Sequence, residues 1–449
     1  MRGCAVRTVC VLLHPVYSKF GSGGQTPENV TKNTSRFTYF VLFLISVIAS
    51  WIFRDQVTPD LCKGTGEIFC KNLVCPADQQ TANCMARAFV LRVAFATAIF
   101  HISLAMATWG VNDFSNPRHY VHTALWPIKI VFWLVLHLIV FFIPSSTFLN
   151  FGWAAFVFGV LFEIVQIVIY IEICFSLNRK WIEEDGAENL TGSGHIKVMA
   201  VSFCCFAAAI GQTVVMFLWF GTKADGETDG CELYQFFSSF SLILWVFLTI
   251  FSFRATEWMP DTGLMPSALV AAFLCFKTLS ALYSQNSCNK IASSAETTYS
   301  GPPEVMSAIS IVIAVIIAGW ASLNVGRELD SDGGAFWGPS TEPRSSPLVE
   351  MGAVAPNQMK VDVEGAENNA APELKGKLGY DAGGFHAAVA CSICYIAMQM
   401  TNWNQEFSKD DVDKGSASMW VKIVASWVLA VAYGWAMIAP KVLTDRDFS

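Results

Sequence analysis

The stretch Phe151–Asp185, FGWAAFVFGVLFEIVQIVIYIEICFSLNRKWIEED, contains no proline and no glycine after Gly159. At about 1.5 Å of rise per residue it predicts a continuous helix roughly 50 Å long, whereas the hydrocarbon core of a bilayer is roughly 30 Å thick. Such a helix either leaves the membrane with its last third or crosses it at a steep tilt, with the other segments packed around it. The sequence therefore predicts a long central helix around which the fold is organised.

The composition of the whole chain is typical of a membrane protein. Of its 449 residues, 53% are hydrophobic and only 14% are charged, whereas about a quarter of the residues in a soluble domain are charged. The apolar runs are continuous over about 17 to 25 residues instead of alternating over about ten, which excludes a β-barrel. The chain is therefore predicted to be an all-α polytopic membrane protein.

Hydrophobic runs of spanning length divide the chain into about ten predicted transmembrane helices, of which the first and the ninth are the shortest. They cover residues 37–53, 88–109, 124–143, 151–177, 196–220, 233–253, 264–283, 305–323, 385–401 and 420–439. This predicts a cytosolic N-terminal segment over 1–35 and spans one to eight over 36–325, with an outside loop over 54–87 and the central helix over 151–185. An acidic cytosolic loop over 326–384 follows, and then spans nine and ten with a cytosolic C-terminus over 385–449.

The orientation follows from charge and cysteine together. An even number of spans puts both termini on one side, and the short segments on that side carry more Lys and Arg, which favours cytosolic termini. The same orientation puts six cysteines in outside loops, where the compartment is oxidising. They are Cys62, Cys70, Cys75, Cys84, Cys231 and Cys288. Cys231 and Cys288 flank neighbouring spans, so we expect them to pair, with two further bridges inside the loop 54–87. Such a chain belongs in the plasma membrane or the endomembrane system.

The loop 326–384 differs in composition from the rest of the chain. Acidic residues outnumber basic ones two to one, and Gly, Pro, Ser and Ala replace the residues that form a core. We interpret it as a flexible segment that is able to recruit a cytosolic partner. No basic patch interleaved with aromatic residues indicates a nucleic-acid partner.

Several polar side chains lie within the predicted spans, where each charge costs roughly 3 kcal/mol or more without a partner. At 100° per residue, Glu163 and Gln166 share a face of the central helix, whereas Glu172 lies half a turn round. Lys129 reaches the depth of Glu163 if the central helix is upright, and that of Glu172 if it is strongly tilted. We therefore expect an ion pair between Lys129 and one of these acids. It either lines a polar groove or is a structural pair that fixes helix register.

Sequence motifs of enzymes are missing. The chain has no H-E-x-x-H, P-loop or G-x-S-x-G motif, and its histidines show no metal-ligand spacing with Cys or acidic residues. We therefore expect no enzymatic activity, no cofactor and no metal site.

The C-terminal run WVKIVASWVLAVAYGWAMIAPKVLTDRDFS, from Trp420 to Ser449, closely resembles the end of the serine incorporator family, also called the TMS or tumour-differentially-expressed membrane proteins. Further stretches match in the family's order: TSRFTYFVLFLISVIASWI from Thr34, CMARAFVLRVAFATAIF from Cys84, WPIKI from Trp126, DGCELYQFF from Asp229 and GFHAAVACSICYIAMQMTNW from Gly384. The resemblance covers essentially the whole chain.

The resemblance implies about ten membrane helices in two bundles joined by a long diagonal helix. It also implies binding of phospholipids and sphingolipids between helices, nonenzymatic lipid scrambling, a link to serine incorporation into phosphatidylserine and sphingolipids, and assembly as a homo-oligomer. Residues at family-like positions are Arg92, Lys129, Gln166, Glu172, Asn178, Trp181 and His386. Glu163 and Lys277 do not fall on such positions, so Lys129 with Glu172 is the pairing that agrees with the family.

Three functions are open at this point. The leading hypothesis is a lipid-handling protein whose headgroup path is lined by polar residues. The candidate residues are Arg92, Lys129, Glu163, Gln166, Glu172, Asn178 and His386. The alternatives are a secondary transporter of serine or a similar small solute, and an interaction or regulatory protein that acts through the acidic loop. A transporter predicts broken helices at the midplane, but the central helix has no such break.

Overall fold

The computed structural model describes residues 27–56, 82–185, 192–222, 228–284, 288, 302–324, 378, 380–401, 403 and 416–443. The regular elements within these ranges are all helices, which confirms the predicted all-α class. In chain order they are α1 (Pro27–Gln56), α2 (Ala82–Thr108), α3 (His119–Thr123), α4 (Trp126–Ile139), α5 (Ser145–Asp185), α6 (Ser193–Phe220), α7 (Glu232–Ala255), α8 (Leu264–Tyr283), α9 (Pro302–Asn324), α10 (Ala382–Met400) and α11 (Ser416–Val442). A short 3₁₀ turn, Val140–Phe142, continues α4.

Eight of the described helices are long and apolar enough to cross a membrane, namely α1, α2, α5, α6, α7, α8, α10 and α11. The predicted first and ninth spans are among them. The predicted third and eighth spans coincide with the shorter apolar stretches Trp126–Phe142 and Ala308–Gly319. The polytopic architecture is therefore confirmed, while the number of ten crossings stays a prediction.

Three helices begin earlier than the hydrophobic runs indicated. The central helix α5 begins at Ser145, directly after Pro144, and its 41 residues correspond to about 60 Å. α1 begins at Pro27, within the segment 1–35 that was predicted to precede the first span, because proline suits the first turn of a helix. α10 begins at Ala382 because the Asp381 carboxylate accepts a hydrogen bond from the Gly384 backbone N–H at 2.7 Å and so caps the helix. Residues 326–377 and 379 of the predicted acidic loop lie outside the described residues.

The helices form two bundles, and α5 belongs to both. Phe148, Ala155 and Phe162 of α5 pack into a core with residues of α1, α2, α9 and α10, which we call the first bundle and to which α4 also belongs. Further along, Ile167 and Cys174 of α5 pack into a core with residues of α7, α8 and α11, which together with α6 form the second bundle. This agrees with the two bundles around a long central helix that the family resemblance implied. The junction of the bundles is formed by α5, α8, α9 and α10.

The distribution of polarity is the reverse of that in a soluble protein. Large apolar side chains such as Phe203 and Val431 are exposed, at 77% and 73%, while charged side chains such as Arg92, Lys129 and Lys277 are buried. An apolar exterior suits a lipid environment, and ionisable groups in membrane helices face the protein interior, where partners offset their cost. A polar site in this protein is therefore expected in its interior.

One of the predicted disulfides is present in the described residues. Cys231, which caps α7, is bonded to Cys288, which follows α8, and both are buried. The predicted Cys231–Cys288 pair is therefore confirmed. The side chains of Cys62, Cys70, Cys75 and Cys84 lie outside the described residues, so their pairing stays a prediction.

Candidate functional site

The seven residues predicted to form one polar groove lie in four different places. Glu163 and Gln166 lie at the bundle junction, Lys129 and His386 lie in the first bundle near α3, Arg92 lies near the turn between α4 and α5, and Glu172 and Asn178 lie further along α5. The contacts of each group therefore decide which of these residues belong to one site.

At the junction, the carboxylate of Glu163 forms a buried ion pair with Lys277 of α8. Lys277 Nζ lies 2.5 Å from Glu163 Oε1 and also donates to the Tyr395 hydroxyl of α10 at 3.2 Å. The predicted pairing of Lys129 with Glu163 is therefore wrong. Counting depth along separate helices put Lys129 at the level of Glu163 but could not tell which helix faces it, and the packing of α8 against α5 puts Lys277 there.

Lys129 is stabilised by other groups of the first bundle. Its amine donates to the Tyr39 hydroxyl at 2.8 Å and to the His122 backbone carbonyl at 3.0 Å, and it lies 3.8 Å from the centre of the Trp126 ring. A carbonyl, a hydroxyl and an aromatic face together solvate a buried ammonium group without a carboxylate. Among the described residues Lys129 meets neither acid, so the alternative pairing with the partly buried Glu172 is wrong as well.

Beside the ion pair, the junction contains polar atoms with no hydrogen-bond partner among the described residues. They are Glu163 Oε2 and both amide atoms of Gln166, which lies about one turn further along α5 and is 1% exposed. A second amide, that of Gln399, donates to the Tyr395 hydroxyl at 2.9 Å. A buried polar group without a partner costs about 1–3 kcal/mol. The junction therefore favours the entry of a polar ligand or water that supplies donors and an acceptor.

Arg92 is fully buried and ties α2 to the start of α5. Its guanidinium donates to the Ile143 carbonyl at 3.3 Å and to the Ser145 hydroxyl at 3.2 Å, and it lies 4.4 Å from the centre of the Phe148 ring. These contacts hold the turn between α4 and α5, so Arg92 has a structural role here and lies apart from the junction.

Asn178 lies near the other end of α5 and holds the connection between α7 and α8. Its amide donates to the Asp261 backbone carbonyl at 3.0 Å, and the neighbouring Arg179 forms an exposed ion pair with the Asp261 carboxylate. Asn178 is therefore not brought together with Glu163 and Gln166.

His386 belongs to a cluster that the sequence did not reveal. Its ring lies between His101 of α2, at 3.0 Å between the two Nδ1 atoms, and His122 of α3, at 3.1 Å between Nε2 and Nδ1. His122 Nε2 in turn lies 2.7 Å from the Tyr380 hydroxyl. The only available signal was His101 itself, an imidazole within an apolar span, where polar groups are rare.

The imidazoles of this cluster do not form a metal centre. Within the described residues no group of three or more His, Cys, Asp or Glu side chains is arranged to hold a metal ion. The ring nitrogens face one another in pairs along a line, so their lone pairs do not converge on a common point. Hydrogen bonding, and not metal ligation, is the chemistry that this geometry supports.

Comparison with known proteins agrees with this architecture. The family model described as serine incorporator (Serinc) matches residues 4–446. The chain belongs to the serine incorporator family. It is 28% identical to a probable serine incorporator of Monosiga brevicollis, over 94% of this chain and 93% of the other, and 25% identical to serine incorporator 3 of Bos taurus, over 94% of each. It is also 24% identical to serine incorporator 2 of Homo sapiens, over 80% of this chain and 79% of the other.

The ion pair at the junction brings together two polar residues of this serine incorporator family member that lie far apart in the sequence. Glu163 of α5 meets Lys277 of α8. Gln166 lies on the same face of α5 as Glu163. The candidate site is therefore the junction group formed by Glu163, Gln166, Lys277, Tyr395 and Gln399.

Proposed function

We propose that this multi-pass membrane protein binds phospholipids at the junction of its two bundles and lets their headgroups cross between the leaflets without enzymatic chemistry. The observation that carries the proposal is the buried Glu163–Lys277 pair, beside which Glu163 Oε2 and the Gln166 amide have no hydrogen-bond partner in the described part of the chain. These groups offer a negative, a positive and a neutral hydrogen-bonding partner within one site. A zwitterionic or anionic headgroup, including phosphatidylserine and the headgroups of sphingolipids, presents the complementary chemistry.

The position of the site on α5 supports access from lipid. Ile164 and Val165, which lie between Glu163 and Gln166 in the sequence, are exposed at the lipid-facing surface. A small separation of the bundles or rotation of α5 would bring the polar face into contact with a headgroup. Polar groups at the depth of Glu163 and Gln166 lower the free energy of a headgroup in hydrocarbon, because they replace part of its lost hydration. The link to serine incorporation would then rest on the delivery of lipid between leaflets.

The test is reconstitution of the full chain in liposomes with fluorescent phosphatidylserine, whose inner-leaflet fraction becomes accessible to a membrane-impermeant quencher only after crossing. The informative variant is Glu163→Leu with Lys277→Met, because replacing a buried ion pair by apolar residues of similar size is often neutral for stability. We expect the wild-type chain to accelerate crossing and the double variant to slow it by about tenfold, which corresponds to about 1.4 kcal/mol in the barrier.

The matched control is Lys422→Met, which removes a buried lysine of the second bundle whose amine donates to the Ser284 hydroxyl at 2.8 Å and to the Ser280 carbonyl at 3.3 Å. This variant should leave lipid crossing unchanged. Wild-type protein that leaves the rate of lipid crossing at the level of empty liposomes would contradict the proposal. Saturable uptake of serine into the same liposomes, without lipid crossing, would favour the transporter.

A further inference from the structure

A continuous chain of four hydrogen-bonded side chains lies within the first bundle and takes no part in the junction site. It joins Tyr380, His122, His386 and His101 in that order, at 2.7, 3.1 and 3.0 Å between the bonded atoms. The three histidines are at most 1% exposed, and Tyr380 is 6% exposed. The segment that carries Tyr380 is itself held in place, because the Leu378 and Ala382 backbone N–H groups donate to the carbonyls of the chain that follows α2. The backbone that carries Tyr380 is thus fixed by hydrogen bonds.

Neutral imidazoles fit this chain in two opposite arrangements, because each has one donor and one acceptor nitrogen. In the first, the Tyr380 hydroxyl donates to His122 Nε2, and His122 Nδ1–H donates to His386 Nε2. His386 Nδ1–H then donates to His101 Nδ1, and His101 carries its proton on Nε2. In the second, His101 Nδ1–H donates to His386 Nδ1, and His386 Nε2–H donates to His122 Nδ1. His122 Nε2–H then donates to the Tyr380 oxygen. Both arrangements satisfy every contact.

The surroundings keep the chain neutral. The charged and titratable groups that face it from the elements packed around it are Arg36 and Tyr39 of α1, His119 of α3 and Lys129 of α4, and Asp381 follows Tyr380 in the chain. Burial, followed by the positive charges of Lys129 and Arg36, lowers the pKa of His122 to about 3 from its usual value of 6.5. A stored positive charge is therefore disfavoured, whereas exchange between the two neutral arrangements creates no net charge.

Polar groups continue beyond His101 along α2. Thr97 lies one helical turn before His101, on the side of Arg92. Its hydroxyl lies 2.9 Å from the Ser46 oxygen and 3.3 Å from His137 Nε2, and His137 is only partly buried. Polar groups therefore lie on one face of α2 from His101 to Thr97, and Thr97 contacts a partly exposed imidazole.

We infer that the chain Tyr380–His122–His386–His101 conducts protons through the first bundle, as a second activity that is separate from lipid crossing. Starting from the first arrangement, the Tyr380 hydroxyl proton passes to His122 Nε2, and the Nδ1 protons of His122 and His386 each pass to the next ring. His101 gives up its Nε2 proton to a water molecule that enters the bundle on the side of Thr97, and Tyr380 takes up a proton from water at its own end. One proton enters and one leaves, and the chain is left in the second arrangement. Rotation of the imidazole rings then turns each protonated nitrogen towards the next ring, so that the chain can again accept a proton from Tyr380.

The test uses the full chain in liposomes that contain a pH-sensitive dye, with a potassium gradient and valinomycin to supply the driving voltage. We expect wild-type protein to acidify or alkalise the lumen faster than empty liposomes do. His386→Phe keeps an aromatic ring of similar size but breaks the middle of the chain, so the proton flux should fall to the rate of empty liposomes. Tyr380→Phe removes a single hydroxyl and should have the same effect, and it decides the matter if His386→Phe does not fold.

The control for non-specific leakage is His195→Gln, in the second bundle at the start of α6, which should conduct like the wild type. The Glu163→Leu, Lys277→Met variant should lose lipid crossing and keep the proton flux, so that the two activities fail independently. Wild-type flux equal to that of empty liposomes would overturn the inference. So would a flux that is unchanged in well-folded His386→Phe or Tyr380→Phe protein, since the hydrogen bonds would then be structural alone.

Discussion

At the scale of single residues, the buried charges of this protein differ in how they are compensated. Glu163 and Lys277 compensate each other, whereas Lys129 and Arg92 are held by carbonyls, hydroxyls and aromatic rings. Loss of one partner from a buried ion pair leaves the other charge without compensation. Loss of a single hydroxyl or carbonyl contact leaves the lysine or arginine with its remaining contacts. The Glu163–Lys277 pair should therefore behave as an energetic unit.

For this pair we predict strong non-additivity. Glu163→Leu alone should destabilise the fold by about 3–5 kcal/mol, because Lys277 stays buried as an unpaired cation. Glu163→Leu combined with Lys277→Met should restore most of that loss. Unfolding in detergent micelles would measure both, and single-variant costs that simply add in the double variant would show that the two charges are not coupled.

The depressed pKa of His122 predicts how stability depends on pH. The unfolded chain takes up a proton near pH 6.5, whereas burial and the nearby Lys129 and Arg36 delay protonation in the fold to about pH 3. Between these values the unfolded state binds more protons than the folded state. The contribution of His122 to stability is therefore complete above pH 6.5 and is lost as the pH falls towards 3. We expect about 2 kcal/mol of loss from His122 between pH 7 and pH 5. In unfolding curves at both pH values, His122→Gln should lose less stability than the wild type, and equal losses would contradict the assignment.

At the scale of elements, glycines let α10 approach its neighbours. A Cβ atom on Gly383 would lie 2.6 Å from the Trp109 Cα atom at the end of α2, and one on Gly159 of α5 would lie 3.3 Å from the Tyr395 Cα atom. These close approaches place α10 where it carries both His386 and Tyr395. The spacing of α10 from α2 and α5 therefore sets the geometry of both polar networks.

Gly383→Ala should consequently destabilise the protein by about 1–3 kcal/mol, because the clash is with backbone and α10 has to shift. The matched control is Gly211→Ala in α6, where the new methyl group would meet no atom within 4 Å. That substitution should be neutral or stabilising by up to about 1 kcal/mol, since alanine has the higher helix propensity. Melting temperatures of the two variants should therefore move in opposite directions or differ clearly, and equal effects would argue against the close approach.

At the scale of the whole molecule, the two bundles share α5, and the confirmed disulfide ties Cys231, directly before α7, to Cys288, which follows α8. An oxidising environment for that bond agrees with the charge distribution that predicts cytosolic termini. In that orientation the start of α5 faces the outside and the connection between α7 and α8 faces the cytosol.

Labelling with a membrane-impermeant maleimide tests this orientation. Ser146 and Glu257 are both exposed, and cysteines placed there report on opposite sides. Ser146→Cys should be labelled on intact cells, and Glu257→Cys only after permeabilisation, with labelled peptides identified by mass spectrometry. The reverse pattern would put both termini outside.

Much of the architecture was predictable because it depends on local composition. Apolar runs predict membrane helices from the hydrocarbon thickness alone, and the absence of helix breakers after Gly159 predicts the long α5. Helix starts were missed where they depend on a cap or a proline, as at Asp381 and Pro144, because hydropathy does not register these features.

The sequence by itself determined the class of the protein, its long central helix, the Cys231–Cys288 bond and the polar residues that a membrane interior has to accommodate. Only the tertiary structure decided that Glu163 meets Lys277 and that His101, His122 and His386 form one chain. The reason is physical. Hydrophobicity and helix length are properties of contiguous segments, whereas the partner of a buried charge depends on which helix faces it and at what height. The packing of α8 and α10 against α5 and α2 sets both the facing helix and the height.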